Sequence, residues 1–111
     1  MNSIKQYAKG RTPPGVMNNL EKRFASLLDQ QKTQGDIIWW AYEAIKLRLA
    51  KNTTYTADFF VMNKDHELQV FEVKGRWLAA ARVKIKVAAD LYPFRFYGAQ
   101  WKNKEWWIEE F

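Results

Sequence analysis

Cysteine is absent from the 111 residues, and there is a single histidine, His66. These scarcities exclude a disulfide framework, thiolate metal ligation and multi-histidine zinc chemistry, so any bound metal has to be held by oxygen. Long hydrophobic runs are missing as well. The longest strongly apolar stretch, Ile37-Ile38-Trp39-Trp40-Ala41-Tyr42, is far too short for a bilayer, and the opening Met1-Asn2-Ser3-Ile4-Lys5-Gln6 has no signal-peptide core. The expected compartment is therefore the cytoplasm, with no membrane partner. Acidic charge is in deficit: 18 Lys and Arg stand against 12 Asp and Glu, a net charge of +6. That excess points to a polyanion, nucleic acid first, because each neutralised phosphate releases condensed counterions. A basic surface kept only for solubility is the alternative. What is present is ordinary for a folded chain, 48% hydrophobic and 27% charged residues at a length that fits one domain.

Residues 1–15 read as a basic N-terminal arm, with Lys5, Lys9 and Arg11 before the Thr12-Pro13-Pro14-Gly15 breaker, where consecutive prolines forbid a regular helix. The arm either lies along a phosphate backbone or is a loose end with incidental charge. Residues 16–111 form the domain. Helical spacing runs over 16–32, with Met17, Phe24 and Leu28 on one stripe and Gly35 closing the helix. Glu21 falls inside that stripe, so its carboxylate either finds a partner or reaches solvent from the stripe edge. A loop with Trp39 and Trp40 precedes three strands, 43–50, 55–62 and 67–74, read as an antiparallel meander. A second helix over 77–91 ends before Pro93, and strands follow at 94–100 and 105–110. The expected architecture is α/β, of order αβββαβ with an extra C-terminal strand, a mixed central sheet flanked by helices.

The chemistry lies in the central hairpin. Placing Asp58 opposite Glu72 sets Phe60 against Val70 and Met62 against Leu68, an apolar surface that ends in two acids. The opposite face, Phe59 and Val61 with Phe71 and Val73, is apolar too, so both strands are expected to be interior. Carboxylates in such a place pair or bind a cation, because desolvating an isolated one costs several kcal/mol or neutralises it. Lys74, two residues beyond Glu72, shares its face. Asp, Glu and Lys together suit Mg²⁺-assisted phosphodiester hydrolysis: hard oxygens hold the ion and the lysine orients the attacking water or offsets transition-state charge. A purely structural Asp-Lys-Glu ion pair is the other reading.

Glu21, then Tyr55-Thr56-Ala57-Asp58-Phe59, then Phe71-Glu72-Val73-Lys74-Gly75, in this order, resemble the PD-(D/E)XK nuclease superfamily over about residues 16–100. Small phage-encoded, Holliday-junction-resolvase-like members are the most similar group. The resemblance implies a restriction-endonuclease-like αβββαβ core and a Mg²⁺-dependent DNA endonuclease, with Mn²⁺ able to substitute. It implies metal binding by Asp58, Glu72 and the Val73 carbonyl, catalysis by Lys74, and a completing role for Glu21. Ala57 departs from the pattern, standing where the superfamily name has proline. DNA as partner, branched or structured, and a homodimer that meets two strands are part of the same expectation. A non-catalytic nucleic-acid-binding module on this fold is the competing function.

Several basic residues are candidate phosphate contacts: Lys9 and Arg11 on the arm, Arg76 after Gly75, and Arg82, Lys84 and Lys86 on the second helix. Lys84 falls within the stripe of Trp77, Ala81, Ala88 and Leu91, where a lysine stem that packs while its amine reaches water is the alternative. Trp39, Trp40, Trp101, Trp106 and Trp107 are too many to be central together, and either core packing or a dimer or base-stacking surface uses them. His66 is read as a surface turn residue.

Overall fold

The computed structural model describes Pro13 and residues 15–111. It is an α/β structure with two helices, a mixed five-stranded sheet and a separate two-stranded sheet. Helix α1 spans Asn19–Gln34. Asn18 and Glu21 form a reciprocal capping box at its start, and Gly35 ends it with φ 88°. The strands are β1 (Ile37–Tyr42), β2 (Lys46–Ala50), β3 (Thr53–Thr56), β4 (Phe59–Asn63) and β5 (Leu68–Lys74), followed by helix α2 (Ala79–Leu91), β6 (Arg95–Lys102) and β7 (Glu105–Glu110).

The main sheet runs β1-β4-β5-β6-β7, and only the β5–β6 pair is parallel. A parallel neighbour needs a crossover, and α2 supplies it. The β4–β5 register is the one its two faces dictate, with Phe60 opposite Val70 and Met62 opposite Leu68. Between them Asn63 Oδ1 accepts from the amides of Asp65 and Glu67, and His66 sits exposed in the turn with φ 65°. The extra C-terminal strand is β7.

Three expectations are corrected. Trp39 and Trp40 lie in a strand, β1, not a loop; Ile37–Tyr42 is rich in aromatic and β-branched residues, and the central strand β4 accepts it as an edge partner. The segment 55–62 is not one strand. The chain leaves the small sheet after Thr56 and enters the main sheet at Phe59, so β2 pairs only with β3 and no single meander forms. On α2 the inward face centres on buried Ile85 and Ala88, and Leu91 is exposed.

Each face of the main sheet carries its own core. Phe24, Ala25 and Leu28 of α1 pack on Phe59, Val61, Val73 and Ala99, with Phe24 in ring contact with Phe59, Phe71 and Trp106. Ile85 and Ala88 of α2 pack on the other face with Phe60, Val70, Phe96 and the hairpin residues Leu47 and Tyr55. Gly98 is required on that side, because the rings of Trp77 and Phe111 occupy the space where a Cβ would stand.

Candidate active site

Asp58 is the residue at which the chain passes between sheets. Its carbonyl accepts from the Glu43 amide at 2.8 Å, and Glu43 takes a left-handed backbone, φ 47°, to make that corner. Asp58 Oδ2 accepts from the Val73 amide at 2.7 Å, which fixes the carboxylate beside the end of β5. Asp58 Oδ1 has no hydrogen bond among the described residues. No buried side-chain oxygen or nitrogen lacks a partner there, so this atom keeps access to solvent.

Glu72 enters from the α2 face of the sheet. Its Oε1 accepts from the Tyr55 hydroxyl at 2.7 Å, and its Oε2 lies 3.3 Å from Lys74 Nζ. Lys74 is the most exposed member of the trio, with a third of its side chain in solvent, while Asp58 and Glu72 are buried. Glu21 comes from the α1 face. Its Oε1 accepts from the Asn18 amide at 2.9 Å and from the Tyr42 hydroxyl at 3.0 Å. Asp58 thus stands at a strand end with one glutamate on either side.

The electrostatics follow from burial. Loss of solvent pushes the Asp58 carboxyl up to about 9, with the charges of Glu72 and then Glu21 adding to the rise, against the Val73 amide and Lys74. Burial also raises Glu72, opposed by Lys74 and by the Tyr55 hydroxyl. Tyr42 and Tyr55 are raised by burial and by the carboxylates they face, so both phenols remain donors through the physiological range. The arrangement is a buried acidic pair with one lysine to offset it.

The expected residues are placed as follows. Asp58, Glu72 and Lys74 come together, with Glu21 close enough to influence Asp58 and with its Oε1 taken by the helix cap and Tyr42. Val73 is buried in the α1-side core and lends its amide to Asp58. Arg76 is exposed just past the end of β5. Arg82 is bound in a two-pronged pair with Glu109, at 3.0 and 2.7 Å, and Lys84 Nζ donates to the Thr54 carbonyl at 3.0 Å, so neither reaches the carboxylates. Lys86 is exposed on α2. Lys9 and Arg11 lie outside the described residues.

Four residues at the site were not legible as such. Tyr55 has the wrong strand parity to accompany Asp58, and only the switch between sheets turns it toward Glu72. Tyr42 was hidden in a segment read as loop. Glu43 supplies the corner. Gln100, opposite Lys74 in the parallel β5–β6 register, donates to the Gly75 carbonyl at 3.2 Å. Its position depends on a long-range pairing that no local pattern encodes.

Among the described residues no group of three or more Asp, Glu, His or Cys side chains gathers around one ion position. Two carboxylates with one open oxygen suit Mg²⁺, which binds through one or two carboxylates and keeps water and phosphate for the rest; they do not suit an all-protein cage. No helix among those residues is long and apolar enough to cross a membrane. No protein-family model, curated protein or solved structure matches the chain.

Proposed function

We propose that this chain is a Mg²⁺-dependent endonuclease that hydrolyses DNA phosphodiester bonds, with Asp58, Glu72 and Lys74 at its active site and a PD-(D/E)XK ancestry. The observation that carries this reading is the buried Asp58–Glu72 pair, just before β4 and near the end of β5, with Lys74 as its partly exposed cation. A folded domain has little reason to keep two mutually repelling carboxylates out of water unless a further cation joins them.

In this reading Asp58 Oδ1 and Glu72 Oε2, with the Val73 carbonyl, would hold the metal. Bound there, Mg²⁺ supplies an acidified water and charge stabilisation on the phosphate. The chain's own residues do the rest. The Val73 amide and the Tyr55 hydroxyl orient the two carboxylates, so the ligands are set before substrate arrives. Lys74, held at Glu72, is placed to orient the attacking water and to offset the growing negative charge on phosphate. Glu21 acts on Asp58 through its charge rather than as a ligand, since no third carboxylate gathers with the pair among the described residues.

Branched or structured DNA is the proposed substrate, and a homodimer the proposed working form; light scattering of the purified protein tests the latter. The test of activity is incubation with labelled four-way junction, flap and linear duplex DNA in Mg²⁺, Mn²⁺ or EDTA. Metal-dependent cutting is expected, reduced by about 10²–10⁴-fold in Lys74→Ala and Glu72→Ala, with binding kept in Lys74→Ala. Binding without cutting of any of these substrates would instead identify a nucleic-acid-binding module.

A further inference from the structure

Among the described residues, three arginines, Arg23, Arg82 and Arg95, show two arrangements. Arg82 and Arg95 are spent on carboxylates, Glu109 and Glu110, across the end of the main sheet. Arg23 is different. Its guanidinium lies over the Trp101 ring, 4.4 Å from the centroid, and among the described residues it meets no carboxylate and donates no hydrogen bond. Stacking engages the flat face of a guanidinium and leaves the in-plane N–H fork unused. The platform is braced. Trp101 meets Trp106 at 5.0 Å and 63°, and Trp106 meets Phe24 in the core at 5.1 Å and 80°. Trp101 thus braces an exposed arginine that has no acceptor among the described residues.

Arg23 lines an open cleft of about 500 Å³ together with Asn19, Lys22 and Ser26. These residues follow the i, i+3, i+4, i+7 spacing of one helix face. Among the described residues every lining side chain is a donor through an amide, an ammonium, a guanidinium or a hydroxyl, and none is a carboxylate. The cleft lies at the same end of the sheet as the acidic pair. Glu21 of the same helical turn acts on Asp58, and Leu20 Cδ1 would stand 3.1 Å from a Cβ at Gly75, just after Lys74.

We infer that this cleft binds a backbone phosphate of DNA and that α1, rather than α2, carries the main contact that leads a strand to the carboxylates. The inference rests on the nuclease reading only for the direction of that strand. None of the arginine and lysine positions expected from the sequence belongs to this cleft.

The experiment is fluorescence anisotropy with a labelled DNA duplex in EDTA, using the full chain and the variants Arg23→Ala, Arg23→Lys, Lys22→Ala and Lys64→Ala, each checked for folding by circular dichroism. Arg23→Ala is expected to weaken binding about tenfold and to lower the salt slope by about 1, with Lys22→Ala similar and Arg23→Lys intermediate. Lys64→Ala, in the exposed turn between β4 and β5, binds as the wild type does. Excess inorganic phosphate at matched ionic strength leaves the duplex bound. Wild-type affinity in both Arg23→Ala and Lys22→Ala overturns the cleft while leaving the nuclease reading intact if metal-dependent cutting persists. Displacement by inorganic phosphate, or no DNA binding by the wild type at low salt, also overturns it. Binding that depends on Arg23 in a protein that never cuts keeps the cleft and removes the nuclease.

Discussion

The two ends of the carboxylate inventory are treated in opposite ways. On β7, Glu109 and Glu110 are close to half exposed, yet each is met by an arginine, Arg82 at 2.7 Å and Arg95 at 3.0 Å. At the start of β4 and the end of β5, Asp58 and Glu72 are buried, and a single lysine, paired with Glu72 at 3.3 Å, reaches Asp58 only through its charge. Compensation is generous where water would have screened the charge anyway and sparse where it would not. Stability alone would favour the reverse. The contrast teaches that the edge pairs tie β7 to its neighbours, while the interior pair sits where its charge is costly, as the proposed metal site requires.

Neutralising Asp58 should shift stability most. Asp58→Asn keeps an acceptor for the Val73 amide and removes the cost of holding this carboxyl protonated in the folded state, so at pH 8 it is expected to raise unfolding free energy by about 1–4 kcal/mol without metal. The variant should lose any stabilisation by Mg²⁺ that the wild type shows in thermal melts. The pH dependence has a definite sign. The Asp58 carboxyl is raised from its ordinary 3.8 to about 9, so the folded state holds a proton that the unfolded chain releases. Wild-type stability without metal is therefore full below pH 3.8 as far as this group is concerned, and falls as pH rises toward 9. Melting curves that are flat over that window, with or without Mg²⁺, would remove the distinction between the two regions. Tyr55→Phe comes next. It leaves Glu72 Oε1 without its buried donor and is expected to cost about 1–3 kcal/mol in urea unfolding, with impaired metal response. Smallest are Arg82→Ala and Arg95→Ala, whose unfolding midpoints should stay close to the wild type because solvent screens the exposed pairs. A large loss in either would show that the β7 edge carries more weight than exposure implies.

Much of this was legible in the chain itself, for reasons that differ from element to element. Helix α1 announces itself by stripe and by Gly35, and the β4–β5 register by two matched apolar faces, because both are short-range patterns tied to burial. Asp58, Glu72 and Lys74 inherit their meeting from that register. Helix α2 is less clear, since its buried residues are Ile85 and Ala88 while Val83, Val87 and Leu91 stay exposed, so hydropathy alone marks the wrong side. What stayed out of reach depends on three-dimensional closure: the sheet switch at Asp58, the turning of Tyr55 toward Glu72, and Gln100 brought beside Lys74 by a parallel pairing. The glutamate in the α1 stripe shows a further limit. Glu21 satisfies the demand for a partner twice over, through a helix cap and a tyrosine, and one sequence position gives no way to tell these uses apart.

The β2–β3 hairpin belongs to neither half of that contrast. It leaves the main sheet at Glu43 and returns at Asp58, and its tip at Lys51 and Asn52 is exposed, with Asn52 at φ 56°. Its ties to the body are made by Leu47 and Tyr55 in the α2-side core, by Lys84 to the Thr54 carbonyl and by Tyr92 to the Arg48 carbonyl, all short of the tip. The ladder between its strands is therefore free to grow or shrink at the far end while the corner at Asp58 keeps its place. In engineering terms it is an adjustable arm on a fixed vice: residues added at Lys51–Asn52 change reach, and the jaws stay aligned.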